Sequence, residues 1–168
     1  MDAHYGTPET VDGEIRIPVT TSVGRPMFKQ FNNISVEDVT DDSIVFNLQD
    51  VEVSSYDQDL LAAAKTNKQE WFGRELADKT IDKAYISPVE GTNFTTTILK
   101  DKFRCYDHEK NLIEICDVKP GTMCSVVVEL KRLWFVKRNF GPEWFSVQVR
   151  LDKPPEKDPY DDYLFQED

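Results

Sequence analysis

Histidine, cysteine and methionine are scarce in this chain of 168 residues, which holds two His, three Cys and three Met. His4 and His108 lie far apart in polar surroundings, so neither a catalytic triad nor a histidine-based metal site is expected. Cys105, Cys116 and Cys124 are odd in number and no two have C-x-x-C spacing, which argues against a disulfide framework and a zinc site. The first residues, MDAHYGTPETVDGE, lack the basic start and apolar stretch of a secretory signal. The expectation is an intracellular, reducing compartment, cytoplasm or nucleus. No apolar run approaches the roughly 20 residues of a membrane span, so no membrane partner is expected. Phosphate-cradling glycine loops are missing, since neither G-x-x-x-x-G-K nor G-x-G-x-x-G occurs, and there is no HExxH. Acidic pairs such as Asp41–Asp42 fall in expected loops without a partner base or hydroxyl. The chain therefore reads as non-enzymatic, with no catalytic residues, no metal and no cofactor.

What is present is a folded-domain composition, 39% apolar and 30% charged, with a net charge of −11. The charge is unevenly laid out. Residues 1–60 carry 3 basic and 12 acidic side chains, whereas residues 122–151 carry 5 basic and 2 acidic ones. Residues 152–168 return to 2 basic and 7 acidic. One basic, aromatic segment thus sits inside an acidic chain. It reads either as a solvated strand face or as a surface for an anionic partner.

The periodicity predicts a flexible N-terminus over 1–13, a single domain over 14–152 and an acidic tail over 153–168. EIRIPVT (14–20) alternates Ile15, Ile17 and Val19, and Pro18 confines that strand to an edge or an end. Residues 24–33 read as a loop. Residues 43–54 read as a strand with Ile44, Phe46 and Leu48 on one face and Asp50 marking a bulge before Val51 and Val53. The period then changes to helical over 57–72, where Leu60, Leu61, Ala64 and Trp71 share a face, Asp57 or Ser55 caps the start and Gly73 fits the end. A shorter helix is expected at 76–85, so the helical insert spans about 56–86. Strands return at 93–107 and 111–118 as a hairpin, then at 125–136 and, after a loop at 137–142, at 143–151. The fold class is mainly β with a helical insert. An OB-like antiparallel barrel fits, and a β-sandwich with the same insert fits nearly as well.

Three strands hold the residues of interest. In 143–151 the unbroken alternation puts Phe145, Val147, Val149 and Leu151 in the core and Trp144, Ser146, Gln148 and Arg150 outward, unless Trp144 packs beneath a loop or the helix. In 125–136 a bulge near Lys131–Arg132 would send Leu133 and Phe135 inward and Arg132 and Trp134 outward. In 96–104, Lys100, Lys102 and Arg104 form a stripe at spacing two, costly unless solvent, a carboxylate such as Glu114 or an anion lies alongside. Together Lys100, Lys102, Arg104, Arg132, Lys137, Arg138 and Arg150, with Trp134, Phe140 and Trp144, supply what unpaired nucleic acid requires: cations along phosphates and rings beneath bases. No base-reading pattern is evident, so little sequence preference is expected. The tail mixes Asp158, Asp161 and Asp162 with Tyr160, Tyr163 and Phe165. It reads as a mimic of a phosphate-and-base strand that occupies the groove, as a recruiter of basic partners, or as a solubilising end.

The block GTMCSVVVELKRLWFVKRNFGPEWFSVQVRL, with Trp134, Phe140–Gly141 and Gln148–Val149–Arg150, resembles the closing strands of the single-stranded-DNA-binding proteins of large eukaryotic DNA viruses. LLAAAKTNKQEWFG and ISPV resemble the same family, which is similar to the single-stranded-DNA-binding proteins of short-tailed phages. The likeness spans roughly residues 55–151. It implies an OB-fold, cooperative coating of single-stranded DNA at a viral replication site, and an acidic tail that contacts replication proteins. In the phage relatives the tail ends on an aromatic residue, whereas here Gln166, Glu167 and Asp168 follow Phe165. Single-stranded DNA is the expected partner, replication proteins a further one through the tail, and a homodimer is left open. The alternative is a structural or adaptor protein, a minor virion component, whose aromatic strands meet other proteins.

Overall fold

In the computed structural model, which describes residues 2–49, 53–154 and 158–167, the β-branched and aromatic runs form the strands and the one stretch of helical period forms the helices. The order is β1 (Ala3–Tyr5), β2 (Glu9–Val11), β3 (Glu14–Thr21), β4 (Met27–Val39) and β5 (Ser43–Asn47). The helices α1 (Ser54–Thr66), α2 (Lys68–Phe72) and α3 (Asp78–Ala84) follow. Then come β6 (Val89–Glu90), β7 (Asn93–Ile98), β8 (Arg104–Tyr106), β9 (Leu112–Ile113), β10 (Met123–Val136) and β11 (Asn139–Leu151).

Five of these strands close on themselves. Around the barrel the order is β4, β5, β7, β11, β10 and back to β4, with β7 and β11 parallel and every other pair antiparallel. Taken in chain order, that is the 1-2-3-5-4-1 circuit of a five-stranded Greek-key barrel, so the fold is OB-like and the sandwich alternative is excluded. Phe46, Phe94, Ile34, Ile44, Leu48 and Leu130 fill the interior. Inside it, the Thr96 and Ser146 hydroxyls share a hydrogen bond of 2.5 Å, and Thr96 also donates to the Ile44 carbonyl, so these buried polar groups are satisfied.

β10 and β11 are long enough to run past the barrel as a ribbon that β3 joins along β10. The barrel half of β10 pairs with β4, and its outer half, Arg132 to Phe135, pairs with β3. The helices pack against that ribbon through rings, because Leu60, Ala64, Trp71 and Ile81 all turn inward at helical spacing. Trp71 and Phe72 both meet Phe135 edge-on, and Phe135 stacks on Phe140 at 5.3 Å.

Several sequence expectations are corrected. Residues 1–13 are not a loose end, because β1 and β2 both pair with β3. Of the 24–33 segment only residues 24–26 are loop; Met27 opens β4, since Met27 and Phe31 find burial opposite Leu130 and Val126. The 93–107 strand is interrupted, with β7 ending at Ile98 and a turn over 100–102 before β8. The 137–142 loop shrinks to a tight turn between β10 and β11, with Lys137 at φ 55. Asp57 does not cap α1; its carboxylate accepts from the Tyr85 hydroxyl and, at 2.6 Å, from Ser87, tying α1 to the segment after α3. The 57–72 helix breaks at Asn67, whose side chain donates to the Ala63 carbonyl at 2.8 Å. Gly73 ends α2 at φ 72, as expected. The expected bulge at Asp50 and Val51 lies outside the described residues.

Candidate nucleic-acid interface

Which side chains of β10 and β11 face outward is decided by two bulges. Val127 stands opposite Gln148 but Val128 opposite Ser146, so Val147 is an extra residue in β11. Leu130 stands opposite Trp144 but Arg132 opposite Glu143, so Lys131 is an extra residue in β10. Each insertion reverses the alternation beyond it. The bulge at Lys131 sends Leu133 inward and leaves Arg132 and Trp134 on the outer side, as the sequence suggested.

The bulge at Val147 overturns part of the expected face. Gln148 and Arg150 are exposed, but Trp144 is 3% exposed and lies edge-on to Phe94 of β7 and Tyr56 of α1, so it packs beneath the helix, the other reading the sequence allowed. Phe140 is fully buried among Phe135, Phe72 and Tyr85. Neither ring is available to a base without opening the core, so both are removed from the stacking set. Phe145, expected in the core, is buried as expected, 6% exposed, but points to the outer face, where Lys131 Nζ and the Arg132 guanidinium cover its ring at 5.6 and 5.3 Å.

Residues directly opposite in a sheet share a face, so the register defines the outer surface in three rows. Phe28, Glu129 and Phe145 form one row; Gln30, Val127, Gln148 and Arg104 the next; Ser125, Arg150 and Tyr106 the third. The last two rows without Arg104, together with Lys110, line a concave groove of about 320 Å³, and Arg104 stands on the lining of the adjoining depression. Phe28 offers a ring 51% exposed, Tyr106 and Trp134 are half-buried, and Arg104, Arg150, Lys110 and Lys131 are exposed. Phe28, Gln30, Tyr106, Lys110 and Lys131 were missed by the sequence reading. The first two lie where a loop was expected, and Lys131 was placed only as a bulge.

Not every expected cation joins this surface. Lys100 and Lys102 sit on the turn before β8, so the three-cation stripe does not exist, and Lys100 is paired with Asp42 at 2.6 Å. Glu114, the carboxylate suggested for that stripe, is on the lining of a separate depression with Arg104 and Lys100. Arg132 is on the face but bonded to Glu143. Lys137 and Arg138 are at the far tip of the ribbon, beside α2 and α3. Glu129 is the one buried charged side chain among the described residues; burial pushes its carboxyl above the usual range while Lys131 pulls it down. In the tail, Asp158 accepts from the Tyr160 backbone, Tyr163 donates to Glu167, and Tyr163 lies 5.6 Å from Phe165. Asp158, Tyr160, Asp161, Asp162, Tyr163 and Phe165 are all exposed. Among the described residues no group of three or more His, Cys, Asp or Glu is arranged to hold a metal, and no helix is long and apolar enough to cross a membrane.

The fold and this face define an OB-like barrel with a basic, ring-bearing outer surface on β4, β10, β11 and β8. By sequence the chain belongs to the family described as "Family of unknown function (DUF5871)", which matches residues 32–167. No curated protein matches it. The solved structure "Single-stranded DNA-binding protein from bacteriophage Enc34 in complex with ssDNA" is similar, with a TM-score of 0.46 at 11% identity over 90% of this chain and 97% of that one. "Single-stranded DNA-binding protein from bacteriophage Enc34" is similar with a TM-score of 0.47 at 10% identity, over 93% and 95% of the two chains.

Proposed function

We propose that this chain is a non-enzymatic protein that binds single-stranded DNA with little sequence preference and serves viral DNA replication or repair. The observation that carries the reading is the cross-strand register that gathers Arg104 and Arg150 with Phe28 and Tyr106 on one outer surface, where the bulged Lys131 lies over Phe145. Exposed cations there neutralise phosphates, and rings accept unpaired bases at about 1–3 kcal/mol per stack. Arg132 and Trp134 extend the surface along the ribbon. The viral setting rests on the sequence resemblance over residues 55–151. The acidic, aromatic tail modulates binding or recruits replication proteins, and the site of action is intracellular and reducing.

The test is an oligo-dT titration across salt concentrations. Tight binding at low salt is expected, weakening as salt rises because counterions are released. Arg104→Ala and Arg150→Ala should each lower the salt slope by about 0.7, the value for one phosphate on a single strand. Lys100→Ala should leave it unchanged, since Asp42 already compensates that charge. Absence of binding at low salt, with and without residues 153–168, overturns the proposal.

A further inference from the structure

A second groove of about 600 Å³ lies on the other side of the ribbon, where α2 and α3 approach the β10–β11 turn. Its floor is apolar, with Phe72 and Phe135 in edge contact at 5.5 Å. Arg74, Lys83, Lys137 and Arg138 stand around it, all exposed, and no acidic residue is among its lining. Among the described residues none of these four has a carboxylate within 4.0 Å. Nearby in the helical insert, Lys65 of α1 and Lys68 of α2 are paired with Asp82 at 2.8 Å and Asp78 at 3.3 Å and so lie outside this set. In a chain of net charge −11, four exposed cations around one concavity that no acidic residue lines make a local positive patch suited to an anion.

The groove is not part of the face described above. Trp134 and Phe135 are successive residues of β10 and point to opposite sides of the ribbon, Trp134 toward the outer face and Phe135 toward the helices. Lys137 and Arg138 occupy the turn that joins the two sides. We propose that the groove is a second phosphate-binding site for the same single strand: a strand long enough to pass Trp134 turns round the ribbon tip at Lys137–Arg138 and lays its trailing phosphates between Arg74 and Lys83. This rests on the proposed function and adds the path of the strand. It assigns Arg74 and Lys83, in the helical insert, a role that sequence patterning gave no reason to expect.

The test uses the full chain with Arg74→Gln and Lys83→Gln combined. Both side chains are exposed and unpaired, so the melting temperature should stay at the wild-type value. Binding is measured to a short oligo-dT of about 6 nucleotides, enough for the outer face, and to one of about 20, beyond the roughly 4–16 nucleotides typical of one OB barrel. The long oligonucleotide should bind the variant about tenfold more weakly at low salt, with the slope reduced by about 1.4, while the short one is unaffected. Unchanged affinity and slope for the long oligonucleotide, with the short one bound normally, overturn the second site and leave the proposed function standing. An equal loss for both lengths also overturns it, because the groove would then belong to the primary face. Failure of the wild-type chain to bind either length removes both proposals. An acidic, aromatic peptide whose binding is lost in the variant, with DNA binding intact, reassigns the groove to a protein partner and equally overturns the inference.

Discussion

Arg132 and Glu143 face each other across the ribbon, Nε donating to Oε2 at 2.7 Å and a terminal guanidinium nitrogen to Oε1 at 3.3 Å, with the same guanidinium 5.3 Å above Phe145. The pair is a two-point contact that fixes the guanidinium against the carboxylate. It also hides one positive charge on a surface whose proposed ligand is anionic.

Glu143→Gln should therefore tighten oligo-dT binding several-fold at low salt, with the gain vanishing at high salt, because the amide keeps an acceptor for Arg132 but removes the competing charge. Arg132→Ala should weaken binding and lower the salt slope. Fluorescence anisotropy with labelled oligo-dT across a salt series reads both effects. A loss of affinity in Glu143→Gln would mean that the carboxylate is needed to position the arginine rather than competing for it.

Trp134 and Trp144 separate binding from folding. Trp144 is sealed in the barrel against Phe94 and Tyr56, so Trp144→Ala should cost about 3–5 kcal/mol of stability in denaturant unfolding. Trp134 is half-buried on the outer side, its indole within 3.1 Å of where a Cβ on Gly141 would stand. Trp71 is as buried as Trp144. Any change in tryptophan emission on adding oligo-dT should then arise from Trp134 and disappear in Trp134→Phe. Persistence of the change in that variant would show that DNA reaches or rearranges the core.

The barrel was legible because its strands are β-branched runs with turn signals between them, and the helix because Leu60, Ala64 and Trp71 repeat at helical spacing. The outer face was legible only in part. Arg150 and Gln148 were placed correctly by alternation, but the bulge at Val147 lies within a stretch of perfect alternation and leaves no mark in residue type. N-terminal to it the facing reverses: Ser146 and Trp144 turn inward, and Phe145 turns to the outer face though it stays buried under Lys131 and Arg132. The bulge at Lys131 was readable because there the apolar pattern itself slips, from Val128 and Leu130 to Leu133 and Phe135. β4 was hidden by Gly24 and Pro26 just before it and by Asn32–Asn33, where Asn33 takes a positive φ in a strand bulge. The contributions of Arg74 and Lys83 depend on which helix meets which ribbon, a long-range fact that no local pattern holds.

Glu129 provides a test by pH. It is 8% exposed, opposite Phe28 on one side and Phe145 on the other, and burial raises its carboxyl despite the opposing Lys131. A carboxyl raised in the folded state binds its proton more tightly there than in the unfolded chain, where the value is about 4.3. The resulting stabilisation is fully present below that unfolded value and is lost as pH rises through the folded one. Glu129→Gln, which keeps the shape and cannot ionise, should raise the melting temperature at pH 7 to 8, and the advantage should shrink as pH falls toward about 4. Scanning calorimetry of both proteins over that range measures it. An advantage of constant size across the range would mean that the carboxyl is not shifted and that the outer face bears its full charge at neutral pH. A shrinking advantage would mean that acidification removes a negative charge from beside Phe28 and Lys131, so that DNA binding strengthens with falling pH in the native chain and less so in Glu129→Gln.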